Sequence, residues 1–237
     1  MQCVILAAGL GSRIKDLAEI KPLLKINKVA FLEKIILSAV KVGISDFFVV
    51  TGFNHLAIDK FVKKISTPQK IKITTIYNKH WEIKANGYSA LQAKNHVEGV
   101  FFLLMADHMF DNTILQDMKN HYNQFECNIL LGIDNNIKDY DGDIHDATKV
   151  LIKNNFISNI GKNIKEYSAI DTGIFLCDDL LFKSLEFCDS KNKTTLTDAI
   201  LHLSHNSFVR GFDVDSRFWV DIDTREDYNK AKSKLKE

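Results

Sequence analysis

A chain of 237 residues, 46% of them hydrophobic, is long enough to bury the core of one large α/β domain and does not require two. Its formal net charge of +1 sets up no field that would draw in nucleic acid or an anionic membrane surface, so any anion has to be bound locally. Cys3, Cys127, Cys177 and Cys188 are scattered without C-x-x-C spacing, which points to buried free thiols in a reducing cytoplasm and away from a disulfide framework or a zinc site.

The opening residues, Met1 to Leu10, lack the basic segment of a signal peptide, and no later stretch approaches transmembrane length. Val4, Ile5 and Leu6 read instead as a short buried strand, which the chain leaves through Ala7, Ala8, Gly9, Leu10, Gly11, Ser12 and Arg13. Small residues there let backbone N–H groups approach a ligand, and a glycine turn after a strand makes a nest of donors for phosphate oxygens. Arg13 and Lys21 add fixed positive charge. A strand and a glycine turn occur in many α/β domains, so two known phosphate loops serve as tests. A dinucleotide fingerprint needs a third glycine and a ribose-binding acid after the second strand, but Ile14 and Val50-Thr51 stand there. The Gly-Lys-Ser/Thr of a P-loop is absent.

Phe31 to Val42 spaces Leu32, Ile35, Ile36, Ala39 and Val40 as a helix, which Gly43 can close. A strand at Phe47–Val50, a helix at Asn54–Lys64 and a strand at Ile71–Ile76 follow. Repeated βαβ units predict a doubly wound, mostly parallel sheet with ligands at the carboxyl ends of its strands. From Asn78 to Lys94 a polar loop around Gly87 runs into an amphipathic helix; Tyr88 or Ser89 is either its cap or, with Gly87, a contact to a ligand. Val100–Met105 is a central strand that ends abruptly in Ala106-Asp107-His108. An acid at that point suits Mg²⁺, which takes oxygen ligands and needs only one or two carboxylates besides substrate phosphates. The alternative role of capping the helix Asn112–His121 fails on spacing, since that helix begins several residues later.

In the second half, Asn128–Ile133 is a strand, and the acidic run with Asp134, Asp139, Asp141 and Asp143 reads as a solvated loop. Ala147–Lys153 and Phe156–Ile160 flank Asn154-Asn155 as a hairpin, with Lys149 inside it. Ala169–Cys177 is a further strand with Asp171 and Thr172 at its start. Helices follow at Asp179–Phe187 and Leu196–His205, the second preceded by Thr195, with Asp198 a candidate hydroxyl-binding acid. Thr224 and Asp227 outline a capping box for the last helix. Asp221 and Asp223 alternate on the strand before it, so both point to one side, and either can complete a magnesium site with Asp107.

LAAGLGSR followed by Lys21-Pro22 resembles the signature of the sugar-phosphate nucleotidyltransferases, a Leu-x-x-Gly-x-Gly-x-Arg loop and then Lys-Pro. With NGYSALQAKNHVE, MADHMFD, ATKV, AIDTGIFLC and FWVDIDTREDYNKA, nearly the whole chain resembles the inositol-1-phosphate cytidylyltransferases, including the cytidylyltransferase half of the bifunctional enzymes that make di-inositol phosphate phosphate. The resemblance implies a GT-A-like Rossmann nucleotidyltransferase fold in one domain, with a nucleotide-binding half over about residues 1–125 and an acceptor half over 126–237. No membrane-embedded alcohol-phosphatidyltransferase half is expected. The implied activity joins CTP and a phosphorylated alcohol with Mg²⁺.

For the nucleotide, the resemblance implies Leu6, Ala7, Ala8, Gly9, Gly11, Ser12, Arg13 and Lys21, with Gly87, Tyr88 and Ser89 beside the base. For the metal it implies Asp107 with Asp221 or Asp223, and for the acceptor Lys149, Asp171 and Asp198. Arg13 and Lys21 are the catalytic cations. Related glycosyltransferases carry Asp-x-Asp where this chain has Asp107-His108-Met109, which favours nucleotidyl transfer. Phosphocholine, a phosphonate or a sugar 1-phosphate are alternative acceptors, and a non-catalytic regulatory homologue would be expected to lose Arg13, Lys21 or the metal acids. Nothing in the sequence separates an oligomer face from the core.

Overall fold

In the computed structural model, which describes residues 1–69, 71–124 and 127–235, the apolar run at the N-terminus is strand β1 (Gln2–Ala7). A two-stranded antiparallel pair follows, β2 (Lys25–Ile26) and β3 (Val29–Ala30), and then helix α1 (Phe31–Lys41), which buries the predicted stripe from Leu32 to Ala39. Next come β4 (Asp46–Thr51), α2 (His55–Gln69) and β5 (Lys72–Tyr77). Helix α2 does not include Asn54, whose φ of 53° is left-handed, and it runs past the expected end at Lys64. α3 (Asn86–Leu91) is short and starts from Ala85 without a side-chain cap; Tyr88 and Ser89 lie inside it and cap nothing.

Beyond it lie β6 (Phe101–Met105), β7 (His108–Phe110) and α4 (Asn112–His121). Asp111 caps α4 by accepting the Thr113 N–H at 2.9 Å, which leaves Asp107 free of that task. The second half runs through β8 (Ile129–Asp134), β9 (Lys149–Lys153), β10 (Phe156–Gly161) and β11 (Ala169–Cys177). Then come α5 (Leu180–Ser190), α6 (Leu196–Ser204), β12 (Val209–Asp213), β13 (Trp219–Asp221) and α7 (Arg225–Lys234). Asn154 and Asn155 turn the β9–β10 hairpin with φ of 52° and 67°, the pair of left-handed residues that a tight hairpin turn demands. Capping boxes open α6 at Thr195–Asp198 and α7 at Thr224–Asp227.

Among the described residues the main sheet has the order β5-β4-β1-β6-β11-β8-β12-β10-β9. Its first half, β5-β4-β1-β6, is parallel as expected. The second half is mixed: β11 runs antiparallel to β6 and β8, β12 is parallel to β8, and the hairpin adds two antiparallel strands. The two-residue β9–β10 connection permits only antiparallel pairing, whereas parallel pairs such as β1–β4 and β8–β12 need long crossovers. Alternate residues of β1 feed cores on opposite faces, Cys3, Ile5 and Ala7 on one and Val4 and Leu6 on the other. Cys3, Cys177 and Cys188 are buried free thiols, and Cys127 is half-buried. No helix among the described residues is long and apolar enough to cross a membrane.

Three features of this topology position the site. β1 lies between β4 and β6, so the glycine loop and Asp107 leave the sheet side by side. The small pair β7–β13 sets Asp221 opposite His108. In β11 the register slips between Asp171 and Phe175, a bulge around Gly173, whose φ is 72°.

Candidate active site

Gly11 has φ 62°, and a Cβ there would sit 2.6 Å from Lys21 Cβ, so glycine is needed both for the turn and for the close approach of Lys21. Lys21 opens a short helical turn with Pro22 behind it and is buried. Its Nζ lies 2.7 Å from Asp107 Oδ2 and 2.7 Å from Asp223 Oδ1. Burial alone would lower the lysine's pKa; Asp107, Asp223 and Asp221 outweigh it and hold the ammonium above its ordinary range. Together with the loop from Leu6 to Arg13, these groups enclose a cavity of about 200 Å³, which shares walls with a wider cleft of about 890 Å³.

Beside Lys21 stand Asp107, His108 and Asp221, whose potential ligand atoms lie within 4.8 Å of one another. His108 Nδ1 is 2.9 Å from Asp107 Oδ1 and 3.7 Å from Asp221 Oδ1. Burial would lower the His108 pKa, but Asp221 and Asp107 override it and raise it to about 9, so the ring is a cation here. Burial, reinforced by Asp107 and Asp223 and opposed by His108 and Lys21, pushes Asp221 up to about 7. Asp221 Oδ1 is buried with no hydrogen-bond partner. An orphaned carboxylate oxygen beside a second carboxylate is what a hard cation would satisfy, so the residues fit a divalent metal.

Asp221 and Asp223 do not share a strand, because β13 ends at Asp221. Asp223 is taken by cations: Lys21 on one oxygen and Arg13 Nη2 at 2.5 Å on the other.

Across the cleft, Arg13 Nη1 meets Asp146 Oδ2 at 2.6 Å, and Asp146 also pairs with Lys162. Hydrogen bonds from Lys162 and Arg13 hold the Asp146 carboxyl down at about 2. Lys230 of α7 holds Asp141, and Tyr140 stacks on Trp219 with ring centroids 5.8 Å apart. Asp141 and Asp143 of the acidic run are exposed, as expected of a solvated loop, and also line the cleft. Neither Asp146 nor Lys162 is distinguishable from other surface charges by spacing or composition.

The remaining candidates divide. Asp171 lines the cleft, accepts the Gly173 N–H at 2.8 Å and is raised by burial to about 6. Gly173 lets this bulge abut His108, since a Cβ there would be 2.6 Å from His108 Cδ2. Lys149, expected at the acceptor, is buried with its Nζ on the backbone oxygens of Lys162 at 2.7 Å and Ala147 at 3.4 Å, outside the cleft wall. It braces the segment that carries Lys162. Asp198 is spent on the N-terminal cap of α6, accepting from the Thr195 N–H and hydroxyl, and is not part of the wall.

Gly87 is a packing glycine, because a Cβ would lie 2.6 Å from the Thr195 carbonyl carbon. The Tyr88 ring is occupied by His80 and Lys84 and does not line the cleft. Ser89 does line it, as do Trp81 and Asn86, which sequence reasoning passed over.

Residues 3–139 match the MobA-like NTP transferase domain. The chain belongs to that family. The nucleotidyltransferase fold expected from the glycine loop and the Lys-Pro element is the one observed. The bifunctional IPC transferase and DIPP synthase of Archaeoglobus fulgidus is 32% identical over 238 residues, covering 99% of this NTP transferase chain and 44% of the relative. Its namesake from Aquifex aeolicus is 32% identical over 235 residues, covering 98% and 51%. The chain thus spans about half the length of these curated relatives. The solved inositol-1-phosphate CTP transferase from T. maritima superposes with a TM-score of 0.86 at 24% identity, over 100% of this chain and 96% of that one, a likeness of fold.

Proposed function

We propose that this NTP transferase domain joins CTP to inositol-1-phosphate, releasing pyrophosphate and forming CDP-inositol, with Mg²⁺ as its cation. The observation that carries the chemistry is Lys21, a buried ammonium between Asp107 and Asp223 beneath the glycine loop. The choice of nucleotide and acceptor is supported by the IPC transferases it resembles over nearly its whole length and by the inositol-1-phosphate CTP transferase whose fold it shares. Residues up to about 125 form the nucleotide-binding half and the remainder the acceptor half. The cytoplasm suits both CTP supply and the free thiols.

In this mechanism a phosphate oxygen of the acceptor attacks the α-phosphorus, the bond from that phosphorus to the α–β bridging oxygen breaks, and pyrophosphate leaves with the electron pair. A phosphate monoester has its second pKa near about 6, so the nucleophile is already dianionic and needs no general base. The obstacle is repulsion between anions, met by positioning and fixed charge.

Backbone N–H groups of the glycine loop take the triphosphate, while Arg13 and Lys21 hold its charge, both oriented by Asp223. Mg²⁺, held by Asp107 and Asp221, would supply charge neutralisation and orientation at the α-phosphate. Lys162 takes the acceptor phosphate, the part first assigned to Lys149, and Asp171 accepts from acceptor hydroxyls. Arg13, Lys21 and the metal acids are all present, which favours an enzyme over a regulatory homologue.

The test is pyrophosphate release with Mg²⁺, crossing CTP, UTP, GTP and ATP with inositol-1-phosphate, phosphocholine, 2-aminoethylphosphonate and sugar 1-phosphates. Release from CTP with inositol-1-phosphate alone is expected. Release with another acceptor keeps the chemistry and moves the substrate; silence across the grid, with nucleotide still bound, refutes catalysis.

A further inference from the structure

Among the described residues, each lysine and arginine along the cleft wall is already held by a carboxylate. Lys230 holds Asp141 at 2.5 Å, Lys84 pairs with Asp189, and Arg13 and Lys162 both pair with Asp146. A phosphate entering the cleft therefore has to take a cation away from one of these acids.

The acids differ in how firmly they are held. The Arg13 and Lys162 side chains are 54% and 55% exposed, against 26% for Lys84 and 31% for Lys230. Exposed ion pairs are the weakest, because water screens the attraction and competes for both partners. Asp146 is also the acid whose departure frees two cations at once. Its Oδ2 accepts from Arg13 Nη1 at 2.6 Å and its Oδ1 from Lys162, so it spans the cleft from the glycine loop to the end of the β9–β10 hairpin. Asp223, the other partner of Arg13, is less exposed and shares Lys21, so Arg13 can keep that contact when Asp146 leaves.

Resting on the reading that Arg13 takes the triphosphate and Lys162 the acceptor phosphate, we propose that Asp146 is a built-in competitor, a carboxylate that occupies both phosphate-binding cations of the empty cleft and that substrate must displace. Held in this way, Arg13 and Lys162 stay aimed at the cleft before any ligand arrives. Displacing Asp146 costs every ligand the same amount. A nucleoside triphosphate, with contacts to the glycine loop and Lys21 besides, absorbs that cost; inorganic phosphate, offered only the two cations, binds weakly. The acid thus sets a threshold that keeps small anions from filling the site. It touches no reacting atom and acts through Arg13 and Lys162, which makes it a positioning residue.

The experiment is equilibrium binding of Mg-CTP and, separately, of inorganic phosphate, by calorimetry at low ionic strength, where surface charge is least screened. The proteins are the wild type, Asp146→Asn, Asp146→Ala, Asp146→Glu and Asp16→Asn. Asp146→Asn and Asp146→Ala remove the competing charge and its repulsion of entering phosphates, so the dissociation constants of both ligands should fall by about tenfold. Asp146→Glu keeps a carboxylate and should stay close to the wild type. Asp16→Asn makes the same change in net charge at an ion pair with Arg225 away from the cleft wall and should change neither constant. A residue that merely braced the cleft would give the opposite sign, since its loss would weaken binding.

Where the wild type binds Mg-CTP, failure of either ligand to bind more tightly to a folded Asp146→Asn or Asp146→Ala protein overturns the proposal and leaves the nucleotide site standing. An equal gain in Asp16→Asn overturns it as well, by reducing the effect to net charge. A wild type that binds no nucleoside triphosphate overturns the functional reading instead, and a phosphate affinity that still rises in Asp146→Asn would then keep Asp146 as the competitor.

Discussion

Lys21→Met removes one charge while keeping most of the apolar stem. The ammonium is only 7% exposed and serves Asp107 and Asp223 at 2.7 Å each, so its loss leaves two carboxylates facing one another with Asp221 close by. Breaking one side of a buried pair costs about 3–5 kcal/mol. Asp107 keeps His108 and Asp223 keeps Arg13, which puts the expected deficit at the lower end, about 3 kcal/mol.

The deficit should depend on pH. Burial pushes the Asp107 carboxyl up, but Lys21 and His108 outweigh it and hold the group below the ordinary carboxylate range. A depressed carboxyl stabilises the fold above its unfolded pKa, about 4, and that contribution disappears as pH falls through the folded value. Wild type and variant should therefore differ most near about pH 7 and converge in acid. Urea titrations followed by circular dichroism at several pH values would measure this, with pyrophosphate release alongside, where turnover should fall by at least about 100-fold. A deficit under about 1 kcal/mol near neutrality, or one that does not change with pH, would refute the charge argument.

Gly11→Ala should cost about 1–2 kcal/mol for its left-handed φ of 62° and displace Lys21, so both melting temperature and turnover should drop; unaltered turnover would show that the 2.6 Å approach does not matter. Lys149→Met should destabilise by about 1–3 kcal/mol by stripping the donor from two carbonyls. Lys162→Ala should instead leave stability within about 1 kcal/mol and raise the KM for the acceptor, and the reverse pattern would return the acceptor role to Lys149. For Asp171, burial raises the folded pKa to about 6, so its contribution is fully present below the unfolded value of about 4 and lost as pH rises through about 6. Asp171→Asn should remove that fall, at most about 3 kcal/mol, and an identical stability–pH slope in variant and wild type would count against it.

Several features were legible because their physics is local. The Leu32–Ala39 stripe, the Asn154-Asn155 turn and the Thr224–Asp227 capping box each depend on residues a few positions apart. The glycine loop with Arg13 and Lys21 is legible for the same reason, since a left-handed glycine and small neighbours announce a backbone nest wherever the strand lies. Lys149 shows where this ends. In a strand, facing inward or outward is settled only by which neighbours pair with it, and Lys149 turned to the carbonyls of its own hairpin. Asp198 and Gly87 likewise carried two meanings, and contacts with Thr195 decided for capping and packing.

The amino-acid sequence by itself determined most of the strand and helix pattern, the glycine loop and the acid at the end of β6, because burial periodicity and backbone preference act over one or two turns of chain. Tertiary structure alone decided that Asp223 holds the cations while Asp221 keeps an orphaned oxygen, and that Asp146 and Lys162 wall the cleft. The Lys21–Asp223 and Arg13–Asp146 contacts join residues 202 and 133 positions apart. Electrostatic partnership at such separations depends on distance in space, which is set only once the sheet order and register exist.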